Sequence, residues 1–263
     1  MYSHNKTLSF KDGLQSVLWL FLLMALSGLP FYFLYTSGFI SESLMVSLGY
    51  ATGCIVFIAV VFKVSGKDIR RFVSTPVPFY VYPVAVVMTL CMNMVIDPFS
   101  YFYPIPDWLH HSFQKLSSDK FLFFTGSVVM APVLEEIIFR GLLLGGLLLR
   151  YPKWQALLYS AILFSIVHLN PAQSFGAVFL GLLAGWAYIK FRNLLIPVTL
   201  HSTNNLLCWY MMTKTTLKHK NSFFECFSSD QSYFLAVTVS FILLLIIFLF
   251  FEKQYRQPAA PPA

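Results

Sequence analysis

Six side chains that could carry acid–base chemistry lie in parts of the sequence that are otherwise strongly apolar. They are Glu135, Glu136, Arg140, His168, His201 and Asn205. A charged side chain in the hydrocarbon layer of a membrane costs roughly 2.5–3.5 kcal/mol on insertion scales, so such residues are rare and usually functional there. Carboxylates and imidazoles transfer protons, and a carboxamide can donate a hydrogen bond to a developing negative charge. The set therefore favours a buried functional site.

The spacing on one predicted helix separates an ion pair from a carboxylate that is free to react. Glu136 and Arg140 are four residues apart and share a helical face, so we expect a buried structural ion pair. Glu135 is turned by about 100° from Glu136 and points to a different face. We therefore expect Glu135 to be less available to Arg140 and more available for chemistry.

The other reactive positions lie on two further predicted helices. Counted from the positively charged ends at about 1.5 Å per residue, Glu135, His168 and Asn205 reach a level near or slightly beyond the middle of the bilayer. His201 fits this level least well. His201 and Asn205 share a helical face, as do Phe164 and His168. We therefore predict that separate helices bring these side chains into one buried layer.

The composition is that of an integral membrane protein. Of 263 residues, 57% are hydrophobic and only 11% are charged, whereas soluble domains carry about 25% charged residues. Several apolar runs reach the length of about 20 residues that crosses a bilayer. The net charge is +7, but the lysines and arginines stand at the ends of these runs. That placement is typical of topology signals and argues against nucleic-acid binding.

Eight apolar segments are predicted to cross the bilayer as one all-α helical bundle. They cover residues 14–35, 44–64, 79–96, 121–149, 154–169, 172–189, 194–212 and 233–251. With a cytoplasmic N-terminus, most lysines and arginines fall on the cytoplasmic side, which is the usual orientation. We therefore expect a single integral membrane domain over residues 1–263, with both termini in the cytoplasm.

Two segments outside the predicted spans have their own signatures. Residues 97–120 form an outer loop in which Trp108, Leu109 and Phe113 have helical spacing. This pattern predicts a short helix in the headgroup layer. The tail 257–263 is rich in proline and alanine and is predicted to be disordered.

Three sequence motifs resemble those of a known family. The segment 135–140 (EEIIFR) matches EExxxR, 164–168 (FSIVH) matches FxxxH, and 201–205 (HSTNN) matches HxxxN. In this order on successive spans, they resemble the motifs of the CPBP family, which comprises CAAX prenyl proteases of the Rce1 type and bacterial bacteriocin-processing and Abi relatives. The resemblance covers about residues 121–212, which we take as the catalytic core.

The resemblance implies an intramembrane endopeptidase fold and roles for four residues. Glu135 and His168 would activate a water molecule, and His201 and Asn205 would hold the oxyanion. The substrate would be a peptide or protein associated with the membrane, and the setting would be the cytoplasmic membrane of a bacterium. Because some family members are described as protective or scaffolding proteins, the resemblance leaves open the substrate, its prenylation and the activity itself.

Three alternatives remain at this stage. In a metal-dependent protease, Glu135, His168 and His201 could bind zinc and leave one position open. The absence of an HExxH motif and the poor ligand quality of Asn205 favour a mechanism without a metal or other cofactor. An ion or proton transporter would need a polar track to both surfaces, and the outer parts of the spans offer no further titratable groups. A non-catalytic scaffold would not depend on Glu135.

Overall fold

The computed structural model of this chain describes residues 7–65, 75–214 and 222–255, and all regular structure within these ranges is helical. The helices of the described residues are α1 (Phe10–Thr36), α2 (Glu42–Ser65), α3 (Val81–Phe102), α4 (His110–Leu116), α5 (Lys120–Leu147), α6 (Lys153–Ile166), α7 (Pro171–Phe191), α8 (Leu195–Thr213) and α9 (Asp230–Gln254). The predicted all-α bundle is confirmed. The tail 257–263 lies outside the described residues.

Six of these helices are long and apolar enough to cross a membrane, namely α1, α2, α3, α5, α7 and α9. All eight predicted segments are helical, but two do not meet the criteria for a span. Helix α6 has 14 residues, and at about 1.5 Å per residue it is shorter than the roughly 30 Å hydrocarbon core. Helix α8 has 19 residues, but the polar run 201–205 lowers its hydropathy. The predicted count of eight spans is therefore only approximate.

Helix α5 lies at the centre of the fold and is contacted by α2, α6, α7 and α8. Its middle part, Ala131–Glu136, is α-helical, and π-helical turns flank it at Thr125–Met130 and Ile137–Leu144. Pro132 has no N–H to donate to the preceding turn, which removes one α-helical hydrogen bond there. Short π-helical stretches are frequent at functional sites, and both adjacent carboxylates lie between these two.

Helix α3 is longer than the sequence indicated. It ends at Phe102 rather than near residue 96, so Asp97 lies within a helix that can span a membrane. Asp97 is therefore an acidic residue within a membrane-competent helix, in addition to Glu135 and Glu136. Helix α3 passes through Pro98 without ending, and this extension could not be read from hydropathy because polar and aromatic residues interrupt the apolar run.

The Asp97 carboxylate joins α3 to the segment that leads into α9. It is only 7% exposed, and it accepts hydrogen bonds from Ser222 Oγ at 2.7 Å and Tyr233 OH at 2.8 Å. The backbone N–H groups of Phe223 and Phe224 donate to it as well, at 3.0 and 3.3 Å. These four donors satisfy the buried charge, so Asp97 is a structural anchor.

We expect Asp97→Asn to lower the free energy of unfolding by about 1–3 kcal/mol, because the new amide nitrogen cannot accept from these donors. The melting temperature of the purified protein in detergent is the measurement. Asp230→Asn is the matched control, since Asp230 is exposed in the first turn of α9. Equal melting temperatures for the two variants would contradict the anchoring role.

The outer loop contains a short helix, as predicted, and it is fastened to the turn between α6 and α7. Helix α4 begins at His110, so Trp108 precedes it. Asn170, which is buried, donates from Nδ2 to Asp107 Oδ1 at 2.8 Å. Its Oδ1 accepts from the backbone N–H of Trp108 at 3.0 Å. The loop is thereby held beside the turn that carries His168.

Candidate active site

Glu136 lies in a fully buried charge network. Its Oε2 contacts Arg140 Nε at 3.0 Å, and both side chains are 0% exposed. Its Oε1 accepts a hydrogen bond from His201 Nδ1 at 2.9 Å. The predicted contact between residues four apart on α5 is present, and His201 extends it to α8.

Arg140 is held by two further contacts. Its Nη2 donates to the carbonyl oxygen of Gly181 at 3.3 Å, and its guanidinium lies 4.4 Å from the ring centroid of Phe164. The same buried ring contacts the imidazoles of His168 and His201, with centroids 5.1 and 5.4 Å apart. Phe164 therefore forms the apolar centre around which the polar side chains are arranged.

Helices α6 and α7 approach each other closely at Gly181, whose carbonyl accepts from Arg140. A Cβ atom at Gly181 would lie 3.0 Å from both Cα and Cβ of Ala161. Only glycine fits at this spacing without a shift of the two helices.

Glu135 stands apart from the ion pair and faces α2 and α8. Tyr50 OH donates to its Oε1 at 2.5 Å. Its Oε2 is buried without a hydrogen-bond partner among the described residues, and it lies 3.9 Å from His201 Nε2. That distance is too long for a direct hydrogen bond but suits a bridging water. The Glu135 side chain is 16% exposed, so it is also more accessible than Glu136.

His168 lies in the turn after α6 and not within a helix, because α6 ends at Ile166. The next residue, Leu169, has a φ of 49°, which takes the chain out of the helical direction. Nδ1 of His168 is 2.9 Å from the carbonyl oxygen of Phe164. A carbonyl oxygen only accepts, so Nδ1 carries the proton and Nε2 is the acceptor in the neutral ring. His168 is also close enough to interact electrostatically with Glu135.

Asn205 is oriented by the backbone of α5. Its Nδ2 donates to the carbonyl oxygen of Ser127 at 2.8 Å, and its Oδ1 accepts from Asn204 at 3.2 Å. The Asn204 Oδ1 accepts in turn from Asn93 on α3 at 3.0 Å. A carboxamide has two N–H groups, so one remains to donate elsewhere. Asn205 and His201 are therefore oriented by hydrogen bonds to different groups, although they lie one helical turn apart.

His201 fitted the common level least well in the count along the sequence, yet it lies against both carboxylates. His201 contacts Glu136 directly and faces Glu135. The count along the chain gives the height of a residue on its own helix axis. Contact between helices depends also on the tilt of each helix and on the level at which it begins.

Residues 117–207 match the family model described as Type II CAAX prenyl endopeptidase Rce1-like. This segment is therefore similar to an Rce1-like domain. It contains all three motifs that suggested the family, so that resemblance is confirmed. The match covers less than half of the chain and leaves α1–α4 and α9 unmatched. No curated protein and no solved structure matches this chain. The Rce1-like domain and the six membrane-competent helices support a multi-pass membrane protein with CAAX-type protease activity.

The zinc alternative requires that Glu135, His168 and His201 converge. Within the described ranges, no three His, Cys, Asp or Glu side chains converge in an arrangement that could hold a metal ion. Nδ1 of His201 is hydrogen-bonded to Glu136, and Nδ1 of His168 to a backbone carbonyl. In both rings Nε2 is therefore the atom that could ligate a metal.

Sequence reasoning missed Tyr50 and Asn93. Tyr50 belongs to α2, outside the Rce1-like segment, and tyrosines are common in membrane helices. Asn93 contacts the HxxxN motif through Asn204. Its amide within an apolar helix was a signal, because such groups usually bond across helices. For Tyr50 the sequence held no such signal.

Proposed function

We propose that this protein is an intramembrane endopeptidase in which Glu135 activates a water molecule for attack on a peptide carbonyl. The observation that carries the proposal is the unpartnered, buried Oε2 of Glu135, which faces His201 Nε2 at 3.9 Å. A water molecule in this position reaches both groups. Glu136 is not the base, because Arg140 and His201 occupy its oxygens.

The charges of the cluster support a role for His201 as a donor. Glu135 and Glu136 carry two negative charges, and Arg140 carries one positive charge. Donation from Nε2 requires a proton on that nitrogen as well as on Nδ1, and such an imidazolium would balance the formal charges of these three groups. In that state Nδ1–H donates to Glu136, and Nε2–H points toward the space beside Glu135.

The first chemical step moves one proton and forms one bond. Glu135 takes a proton from the water, and the water oxygen bonds to the carbonyl carbon while the carbonyl π electrons move onto oxygen. His168, with its proton fixed on Nδ1, offers Nε2 as an acceptor that orients this water. Nε2–H of His201 and the second N–H of Asn205 then donate to the oxyanion.

The second step breaks the C–N bond. The electron pair of the oxyanion re-forms the carbonyl, and the bonding pair leaves with the nitrogen. Glu135 returns the proton that it took from the water to this nitrogen. The site ends in its starting protonation state, so no cofactor is consumed.

We further propose that both termini lie in the cytoplasm, because this orientation places most lysines and arginines on the cytoplasmic side. The substrate proposed for the first test is a prenylated peptide ending in a CAAX sequence. Its lipid would hold the scissile bond at the membrane, where the Rce1-like segment lies. Peptides without the lipid would reach the site less readily.

The test uses the purified full-length chain in lipid vesicles, with a farnesylated CAAX peptide and its unmodified twin. We expect mass spectrometry to show new termini from the farnesylated peptide with the wild type and none with Glu135→Gln. Failure of the wild type to cleave either peptide would rule out this substrate class. Equal cleavage by Glu135→Gln would rule out the proposed mechanism.

We expect peptide cleavage to persist after treatment with a strong zinc chelator, because the proposed steps use only protein groups and water. The measurement is the rate of farnesyl-peptide cleavage before and after chelation, together with the zinc content of the active protein. Loss of activity that added zinc restores would support the metal-dependent alternative instead.

A further inference from the structure

We infer that Tyr50 on α2 is a positioning residue that sets the orientation of the Glu135 carboxylate for water activation. This inference rests on the proposed function, and it assigns a part of the site to a helix outside the Rce1-like segment. The contact that carries it is the hydrogen bond from Tyr50 OH to Glu135 Oε1, at 2.5 Å.

A glutamate side chain needs such a contact to hold one carboxylate oxygen in a fixed direction. The torsion that turns its carboxylate is broad and has no sharp minimum, unlike the torsions between tetrahedral carbons. A hydrogen bond to an ionised oxygen is short and strong. With Oε1 held by Tyr50, the planar carboxylate directs Oε2 toward His201 Nε2, which lies 3.9 Å away.

The phenol is carried by a part of α2 that is packed closely on α1. A Cβ atom at Gly49 would lie 3.3 Å from the Cα of Gly28, and one at Gly53 would lie 2.5 Å from the Cα of Met24. These close approaches flank Tyr50 in the sequence. They fix the backbone of α2, so the hydroxyl reaches Glu135 from a defined position.

The two oxygens of Glu135 therefore have different tasks. Oε1 is bound by Tyr50, and Oε2 is available for the water proton. Tyr50 does not touch the reacting atoms in this arrangement and is not itself a catalytic residue. Its loss should leave substrate binding intact and reduce the fraction of molecules in which Oε2 is correctly aimed.

The test compares Tyr50→Phe, Tyr159→Phe and Glu135→Gln with the wild type in the vesicle assay. We expect Tyr50→Phe to lower kcat by about 10–100-fold, the range for loss of a hydrogen bond to a charged group, with KM within about twofold of the wild type. Tyr159, whose OH accepts from Gln155 on α6, is the matched control and should retain full kcat. Melting temperatures show whether each variant folds.

A second variant separates positioning from packing. Replacing Tyr50 with 3,5-difluorotyrosine keeps the ring and the hydroxyl but makes the O–H a stronger donor. We expect kcat to change while KM and the melting temperature stay at their wild-type values. A purely structural role predicts the wild-type kcat for this variant.

The outcomes distinguish this inference from the proposed function. Wild-type kcat in Tyr50→Phe, with Glu135→Gln inactive, would overturn the role of Tyr50 and leave the proposed function standing. Activity in Glu135→Gln would overturn both. A reduced kcat in Tyr50→Phe with unchanged KM and melting temperature supports the positioning role.

Discussion

Glu135→Gln is expected to lower kcat/KM by about 10²–10⁴-fold, the usual contribution of a general base. Glutamine has nearly the same shape, and its amide oxygen can still accept from Tyr50. It cannot take a proton from water, because an amide is not basic at neutral pH. The fold and the contact with α2 should therefore survive while the chemical step is lost.

The matched control for this variant is Glu42→Gln. Glu42 begins α2 and pairs with Lys115 on α4, and both side chains are partly exposed. Its substitution removes the same charge without touching the site. The rate of farnesyl-peptide cleavage and the melting temperature are measured for both variants. A fall in kcat/KM that is equal in the two variants would show that the effect is not local to Glu135.

Arg140→Met is expected to lower the free energy of unfolding by about 3–5 kcal/mol, because it leaves a buried carboxylate without its partner. Glu136 is 0% exposed, so water does not replace the guanidinium. The variant also loses the hydrogen bond to the Gly181 carbonyl and the contact with the Phe164 ring. Unfolding of the detergent-solubilised protein by denaturant or heat gives the magnitude.

The double variant Glu136→Gln/Arg140→Met tests the cause of this loss. Removing both charges should recover a large part of the stability, since two neutral side chains need no compensation. Activity should remain low, because His201 loses the carboxylate on its Nδ1. Arg150→Met, at an exposed position past the end of α5, is the control. A double variant less stable than Arg140→Met alone would contradict the ion-pair account.

Glu135 and Glu136 show how the fold separates two neighbouring residues of the same type. They differ by about 100° in helical phase, and this rotation directs one into the Arg140 ion pair and the other toward α2. The environments then differ in charge, partners and exposure. Such a division of environment is the general way in which one of two carboxylates becomes the reactive one.

Short-range patterns in the sequence were sufficient to predict several features of the structure. Apolar runs predicted helices at all eight segments, and the spacing of Glu136 and Arg140 predicted their contact. These features depend on the 3.6-residue period and on the low tolerance of a membrane for charge, which act over a few residues.

Contacts between helices could not be read in this way. The bond from His201 to Glu136 did not follow from the depth count, and the end of α6 at Ile166 moved His168 from a helix into a turn. Asp97 entered α3 because that helix continued past its apolar run. The catalytic roles of the motif residues remain predictions for the experiments above.

The sequence by itself determined that this chain is an all-helical membrane protein, and it showed which polar side chains are unusual in it. Only the tertiary structure decided which of these side chains meet, and that Tyr50 joins them. The physical reason is the distance along the chain over which each property acts. Hydropathy and helical phase are properties of one segment, whereas the approach of α2 and α8 to α5 results from the packing of all the helices together.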